Sequence, residues 1–480
     1  MKKGIIVFTL SFLLAGTSSL VRADTNYSVN RIYGINRYET SVSVAGNFSS
    51  QKLQSITIAS GDDFPDALTG SILSKKVNAP ILLVGKNADS ITYCTNFIKN
   101  KLDLNGTIYI LGGKFSVSGN FEKQLNSIGY KNIKRLGGSN RFDTNGTIIN
   151  SLNLEKKTPV FIVNGFGFPD ALSISSVSAS KGYPIIMSNS SKLPEEAKKL
   201  LNNIQPDKVF VIGGTGSINS NVINDLKKNV PTLKDSNITR IGGENRYETS
   251  LNICRYFKLS SDSAFIASGT NFPDALSGSA LAAKMSAPII LTDGYDIAKQ
   301  KQYLDQTDYK KLTLLGGTGS ISSDVENILE DKQIISDADA KSLLVNGDNA
   351  FKKILTINVD GNSYIDISGI SYAPLKENLN NYNSINDYLN KNYNLNKYYT
   401  DSYVNGLVNF VFQKSNDKIY MRYGNPESVV SVDNSQIVSK KYDENKAYIT
   451  IKENKSYLNA VLIYDGNRWL IDSFNNWGIK

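Results

Sequence analysis

The sequence predicts an α/β protein made of three tandem copies of one parallel-sheet unit, with a smaller α+β domain after them. Three observations carry this expectation. Phe-Pro-Asp-Ala-Leu occurs at 64–68, 168–172 and 272–276, a constant spacing of 104 residues that marks internal duplication. The runs 55–59, 80–84 and 107–111 are short, apolar and continuous, as strands covered on both faces are. From about residue 341 the repeat is gone and the composition changes, with both tryptophans (Trp469 and Trp477) and 14 of the 26 tyrosines in that C-terminal region.

Other motifs keep the same register. Asn-Arg-Tyr-Glu-Thr at 36–40 returns as Asn-Arg-Phe-Asp-Thr at 140–144 and unchanged at 245–249. Pro80, Ile81, Leu82 and Leu83 match Pro184, Ile185, Ile186 and Met187, and again Pro288, Ile289, Ile290 and Leu291. Leu111-Gly112-Gly113 matches Ile212-Gly213-Gly214 and Leu315-Gly316-Gly317. The copies are therefore placed at 31–133, 134–238 and 239–331. A segment of helical period at 92–102 lies between strand-like runs, giving each copy the order β-α-β-α-β and a layered parallel sheet.

Pro65, Pro169 and Pro273 suit a first helical turn, where a missing N–H costs nothing, and Asp66, Asp170 and Asp274 then meet the positive end of the helix dipole. The same aspartates come just after strand ends, where open α/β sheets meet ligands, so a helix-start role and a binding role both stand. The glycine pairs lack the third glycine of a dinucleotide site and the Lys-Ser/Thr of a P-loop; they read as turn glycines and imply no nucleotide cofactor. Arg37, Arg141 and Arg246 are each followed by a ring and an acid. Their planar guanidinium groups suit pairing with Glu39, Asp143 or Glu248, or with a bound polyanion.

Lys and Arg number 53 against 44 Asp and Glu, a formal charge of +9. With no charge blocks, that mild excess favours acidic surfaces such as wall polymers or lipids rather than nucleic acid. There is no histidine, which removes Ser-His-Asp and Cys-His hydrolase chemistry and His-containing zinc sites. Cys94 and Cys254 are too few for a disulfide framework or a four-cysteine metal site, and they read as buried apolar residues. No metal and no other cofactor is expected. Lys2 and Lys3, the apolar run 5–14 and the small residues up to Ala23 read as a signal peptide over 1–23, too short for a comfortable membrane span. The expectation is export, with no membrane span after cleavage.

Three tandem units carrying these motifs in order resemble the cell wall binding repeat 2 family of Gram-positive bacteria over roughly residues 31–331. The resemblance implies Toprim-like repeats in a pseudo-threefold arrangement that attach a secreted protein non-covalently to an anionic cell-wall polysaccharide. It associates the three Pro-Ile-Leu-Leu-type segments with attachment and implies polymer sites in the grooves between repeats. The residues themselves read as core strands, so direct contacts are assigned to the arginines and the strands to shaping the groove. Tyr33-Gly34 stands where the other copies have Gly-Gly at 137–138 and 242–243, so the three sites need not be equally occupied.

In the region 341–480, helical signals at 384–392 and 401–412 precede strand-like runs at 418–422, 447–451, 458–464 and 469–471. A short linker is expected near 335–339. The tyrosines serve either a small core or contact with glycan or protein. An acid pair for glycoside cleavage needs only two carboxylates, and Glu427, Asp443 and Asp465 are the candidates for that alternative. The order Ser384-Ile-Asn-Asp-Tyr-Leu, Tyr399-Thr-Asp-Ser-Tyr-Val and Asn467-Arg-Trp-Leu-Ile-Asp-Ser-Phe is similar to secreted DL-endopeptidase inhibitor domains. That resemblance implies a domain that regulates a wall hydrolase or meets another surface protein, with no catalytic residues of its own.

Overall fold

The computed structural model describes residues 27–416, 418–424 and 428–476. The expected signal peptide, Glu427 and Trp477 lie outside them. The chain divides into two compact units, one of residues up to 292 with 298–316, the other of 293–297 with the residues from 317 onward. Among the described residues no helix is long and apolar enough to cross a membrane.

The first unit holds three four-stranded sheets, all parallel. In the first copy the order is Ile81–Val84, Leu53–Ser60, Leu102–Leu111, Ile133–Leu136. The chain leaves the inner strand Leu53–Ser60 toward one side and returns to the other. Right-handed crossovers then put the intervening helices on opposite faces, which explains why these strands are apolar throughout. The second copy repeats the order as Ile185–Ser188, Val160–Asn164, Val209–Ile212, Ile238–Ile241.

The fourth strand corrects the three-strand expectation. Ile133–Leu136 and Ile238–Ile241 begin the next copy in sequence, yet each pairs with the sheet before it. The third copy has no successor, and its sheet, Ile289–Thr292, Ser263–Ser268, Lys311–Leu315, is completed by the first described strand, Ser28–Ile32. The exchange therefore closes on itself.

At the centre the helices Gly70–Lys76, Phe168–Lys181 and Pro273–Lys284 pack pairwise against one another. Fully buried Ser71, Ser175 and Ser279 recur at the repeat spacing and let these helices approach closely. Ser175 and Ser279 return their hydroxyls to carbonyls of their own helices, Leu172 and Leu276, at 2.7 Å each, while Ser71 donates across to the Ser175 carbonyl of the next copy's helix at 3.1 Å, so these three hydroxyls are all satisfied. Phe64, Phe168 and Phe272 close the triangle with ring centroids 5.7, 5.9 and 6.0 Å apart.

The second unit contains two antiparallel sheets, Ile365–Ile367, Ile370–Pro374, Lys418–Arg422, Phe412–Ser415 and the meander Gln436–Asp443, Lys446–Glu453, Ser456–Tyr464, Trp469–Phe474. Where a short linker is expected, an 18-residue helix, Asp337–Ile354, begins with Ser336 capping the Asp339 N–H at 3.0 Å. Its middle, Asn346-Gly347-Asp348-Asn349, is poor in helix formers, which hides it from periodicity. Those residues serve tertiary contacts instead: a Cβ on Gly347 would lie 2.6 Å from Ile471 Cδ1, and buried Asp348 accepts from Asn476 Nδ2 at 3.1 Å. Tyr372, Tyr388 and Tyr399 are buried, whereas Tyr364, Tyr423, Tyr448 and Tyr457 are exposed, so the tyrosines divide between core and surface.

Removal of residues 28–32 is expected to raise amide exchange about tenfold or more in Lys311–Leu315 while leaving Val209–Ile212 protected, read by hydrogen exchange. Uniform loss of protection across all three sheets, or none in the third, would contradict the closure.

Candidate functional site

In doubly wound sheets the ligand crevice opens at the carboxyl ends of the strands where the winding reverses. In the first copy that place lies between the ends of Leu53–Ser60 and Leu102–Leu111, and it is occupied by protein. Gly112, at φ +103°, lets Asp66 lie against its backbone, and Asp66 accepts hydrogen bonds from Ser116 and from Thr144 of the next copy. The second copy repeats this, with Gly213 at φ +104° and Ser217 Oγ donating to Asp170 Oδ2 at 2.8 Å. The glycine pairs thus admit a carboxylate and a neighbouring loop. A Cβ on Gly137 would stand 2.6 Å from the carbonyl carbon of Gly112, and one on Gly242 would stand 2.8 Å from that of Gly213.

The Asn-Arg-Tyr-Glu-Thr motif is spent largely on the same junctions. Asn36, Asn140 and Asn245 cap their helices by accepting from two backbone N–H groups each. Thr40, Thr144 and Thr249 accept from Gly34, Gly138 and Gly243 at 3.0–3.1 Å. Arg37, Arg141 and Arg246 donate to the carbonyls of Gly61, Gly165 and Gly269 at 2.8, 2.7 and 2.5 Å. Each guanidinium also lies over a phenylalanine of the preceding copy, Phe272, Phe64 and Phe168, at 5.5–5.7 Å.

Pairing of these arginines with Glu39, Asp143 or Glu248 does not occur. Glu39 and Glu248 turn back to accept from the N–H groups of Ile35 and Glu244, and Asp143 accepts from Asn140 Nδ2. The acid near Arg141 is Asp63 of the preceding copy, at 3.8 Å. Arg37 is exposed, and Arg141 and Arg246 are half-buried, so each retains a solvent-facing edge.

The structure brings arginine and aspartate together across two junctions. Burial pushes Asp66 up from the ordinary carboxylate value, and hydrogen bonds from Ser116 and Thr144 and the charge of Arg141 work against that rise. Asp170 is likewise raised by burial and opposed by Ser217 and Arg246. Asp274 is similarly buried.

Ile81, Leu82, Leu83, Ile185, Ile186, Met187, Ile289, Ile290 and Leu291 are at most 1% exposed. They form edge strands, and the neighbouring copy's helices cover them: Pro273–Lys284 packs on Ile81–Val84, and Phe168–Lys181 on Ile289–Thr292. Pro80, Pro184 and Pro288 precede those strands, and their carbonyls accept from Thr57, Phe161 and Phe265.

Sequence reasoning missed a second arginine series. Arg31, Arg135 and Arg240 sit in the exchanged strands and donate to the carbonyls of Gly316, Gly112 and Gly213 at 3.0, 3.0 and 2.8 Å, the last two reaching the following glycine as well. Their recurrence at intervals of 104 and 105 residues was the available signal.

Cys94 and Cys254 are buried, and burial pushes their thiols up, to about 12 for Cys254, which keeps them protonated and unreactive. Among the described residues no group of three or more acidic or cysteine side chains is placed to hold a metal ion. In the second unit Asp443 ends a strand at the tight turn to Lys446. Asp465 accepts from the Arg468 and Asn467 N–H groups, which hold its carboxyl below the usual range, opposite to what a general acid needs.

Gly137→Ala and Gly242→Ala are each expected to cost about 1–3 kcal/mol in denaturant unfolding, because the atoms met are backbone and cannot yield cheaply. Because burial raises Asp66 and Asp170, each charges at higher pH in the folded chain than in the unfolded one. Stability is therefore lost as pH climbs from the unfolded value near 3.9 through the raised folded one. Asp66→Asn/Asp170→Asn should flatten that dependence in calorimetric Tm profiles and cost less than about 1 kcal/mol at pH 7.

Comparison with known proteins bears on the whole arrangement. The model of cell wall binding domain 2 matches residues 31–122, 135–223 and 240–326, and that of the IseA DL-endopeptidase inhibitor matches residues 331–476. The N-acetylmuramoyl-L-alanine amidase LytC of Bacillus subtilis (strain 168) is 31% identical over 69% of this chain and 63% of its own length. The amidase enhancer of the same organism is 32% identical over 68% of this chain and 43% of its own. The chain thus spans less than two thirds of either relative. The solved structure of Cwp6 from Clostridium difficile, 26% identical, covers 64% of this chain and 48% of Cwp6 with a TM-score of 0.57. With three matches on the repeats and the fourth on the region after them, the chain belongs to the cell wall binding domain 2 family and carries an IseA-type inhibitor domain.

Proposed function

We propose that this is a secreted, non-catalytic cell-wall protein whose three repeats hold it non-covalently on an anionic wall polysaccharide, and whose C-terminal domain restrains a wall hydrolase. The observation that carries the reading is the coincidence of three family matches with one self-closed unit, joined in the same chain to an inhibitor-type domain. Because each sheet is completed by another copy, the three repeats act as one anchor rather than three independent ones. Their four parallel strands with helices on both faces support a Toprim-like reading of each repeat, in a pseudo-threefold arrangement about the phenylalanine triangle.

The division that goes with this reading is a signal peptide at 1–23, repeats at 31–133, 134–238 and 239–331, and an effector domain at 341–480. Polymer contact is assigned to the outer edges of Arg37, Arg141 and Arg246 at the junctions. Asp66, Asp170 and Asp274 contribute by holding the junctions in shape. Pro80–Leu83, Pro184–Met187 and Pro288–Leu291 shape the same grooves from beneath.

Fragments 24–335 and 336–480 are to be sedimented with purified walls before and after the anionic polymers are stripped. The repeat fragment alone should sediment, stripping should release it, and added salt should weaken it as charge screening requires. Sedimentation of the C-terminal fragment with stripped peptidoglycan would instead favour a glycan-acting protein. The C-terminal fragment is expected to inhibit a DL-endopeptidase at micromolar excess, and absence of inhibition there would remove the regulatory half of the proposal.

A further inference from the structure

The three copies share the residues that build their junctions, so a feature confined to one copy is not part of that shared scaffold. The helix that begins with the motif arginine ends at Gly46 in the first copy and Asn150 in the second, but runs on to Phe257 in the third. Counted from that arginine, Arg255 stands where the other copies have Gly46 and Asn150, and Lys258 where they have Ser49 and Asn153.

Both basic residues line a cavity of about 680 Å³ together with Tyr303, Tyr309, Gln306, Thr307 and Asp308. Tyr303 and Tyr309 are buried and hydrogen-bonded to each other, so they give the cavity a fixed aromatic wall. Arg255 is held over the Tyr303 ring at 5.4 Å and donates to Asn252 Oδ1 at 3.0 Å, which orients the guanidinium before any ligand arrives. Among the described residues neither Arg255 nor Lys258 has a carboxylate partner, although Asp308 shares the cavity. One oriented guanidinium and a second exposed cation, neither with a carboxylate partner, beside amide, hydroxyl and carboxylate groups match a sugar that carries both an acid and free hydroxyls.

We infer that this cavity of the third repeat binds a sugar unit bearing an anionic group, with Arg255 and Lys258 on the acid and Gln306, Thr307 and Asp308 on the hydroxyls. The inference rests on the attachment reading and deepens it: the anchor then grips its polymer asymmetrically, through one repeat's own pocket in addition to the shared junctions. The acid is a carboxylate or a phosphate ester, which present the same oxygens to a guanidinium.

The test uses the full chain and titration calorimetry with two probes, a glucuronate-containing hyaluronan hexasaccharide and glucose 1-phosphate, the stronger of which identifies the acid. Arg255→Gln/Lys258→Gln should weaken binding of that probe at least about tenfold, as loss of two charge-assisted contacts requires. The control Lys228→Gln/Lys234→Gln removes the same charge from exposed positions elsewhere and should leave affinity unchanged. Equal affinity of the Arg255/Lys258 variant and the parent, an equal loss in the control, or no binding of either probe overturns the inference. Sedimentation of the same proteins with walls separates the two claims. If the parent chain sediments but the variant binds both probes as tightly as the parent, the cavity is refuted and attachment stands; if the parent does not sediment, the attachment reading itself fails.

Discussion

Each copy of the first unit supplies one strand fewer than its four-stranded sheet contains, and the deficit is met by the copy that comes next. Backbone hydrogen bonding thereby becomes the tie between repeats, with Ile133–Leu136, Ile238–Ile241 and Ser28–Ile32 as the three ties. The other junction contacts presuppose this exchange. Arg135 and Arg240 reach the preceding glycine turns because they ride on the exchanged strands, and Arg141 and Arg246 reach the preceding phenylalanines from the helices just after those strands. An isolated copy would expose a strand edge and part of an apolar helix face, which is the liability that repeat proteins commonly solve by stacking.

Much of the architecture was legible because the chain supplies its own comparison. Three occurrences of Phe-Pro-Asp-Ala-Leu and continuous apolar runs such as 55–59 define repeats and parallel strands without reference to anything else. The short strand at 133–136, Ile-Lys-Arg-Leu, is half-polar and only half-buried, so neither its strand character nor its membership of the preceding sheet shows in periodicity. Partnership between elements is a tertiary fact. The arginines illustrate the same limit: Arg37, Arg141 and Arg246 are visible as a recurring series, but that they meet glycine carbonyls and phenylalanine rings rather than their neighbouring acids depends on which copies adjoin.

The second unit shows the opposite balance. Helices at 385–393 and 401–411 and most of the late strands are evident from local pattern, while the helix Asp337–Ile354 is not, because Gly347 and Asp348 answer to Ile471 and Asn476 rather than to helix propensity. A buried carboxylate at Asp348, ion-paired with Lys352 at 2.9 Å and bonded to an asparagine from the far end of the domain, ties the first and last described segments of this domain together. Such polar ties specify one arrangement among many that an apolar core of this size would tolerate.

The closure of the third sheet by Ser28–Ile32 also imposes an order on assembly. Of the described strands of the first unit, that one is made first and its partner Lys311–Leu315 last, and the Arg31 to Gly316 contact spans 285 residues of chain. During synthesis the strand must wait, unpaired, while the intervening repeats emerge and fold. Contacts of such separation are slow to form because a long loop must close before they give any return. The two inner exchanges need only the next hundred residues, so they are available early. The first unit is thus expected to reach its final state in two stages, a nascent open array that grows from the amino end and a late cyclisation that converts it into a body without ends.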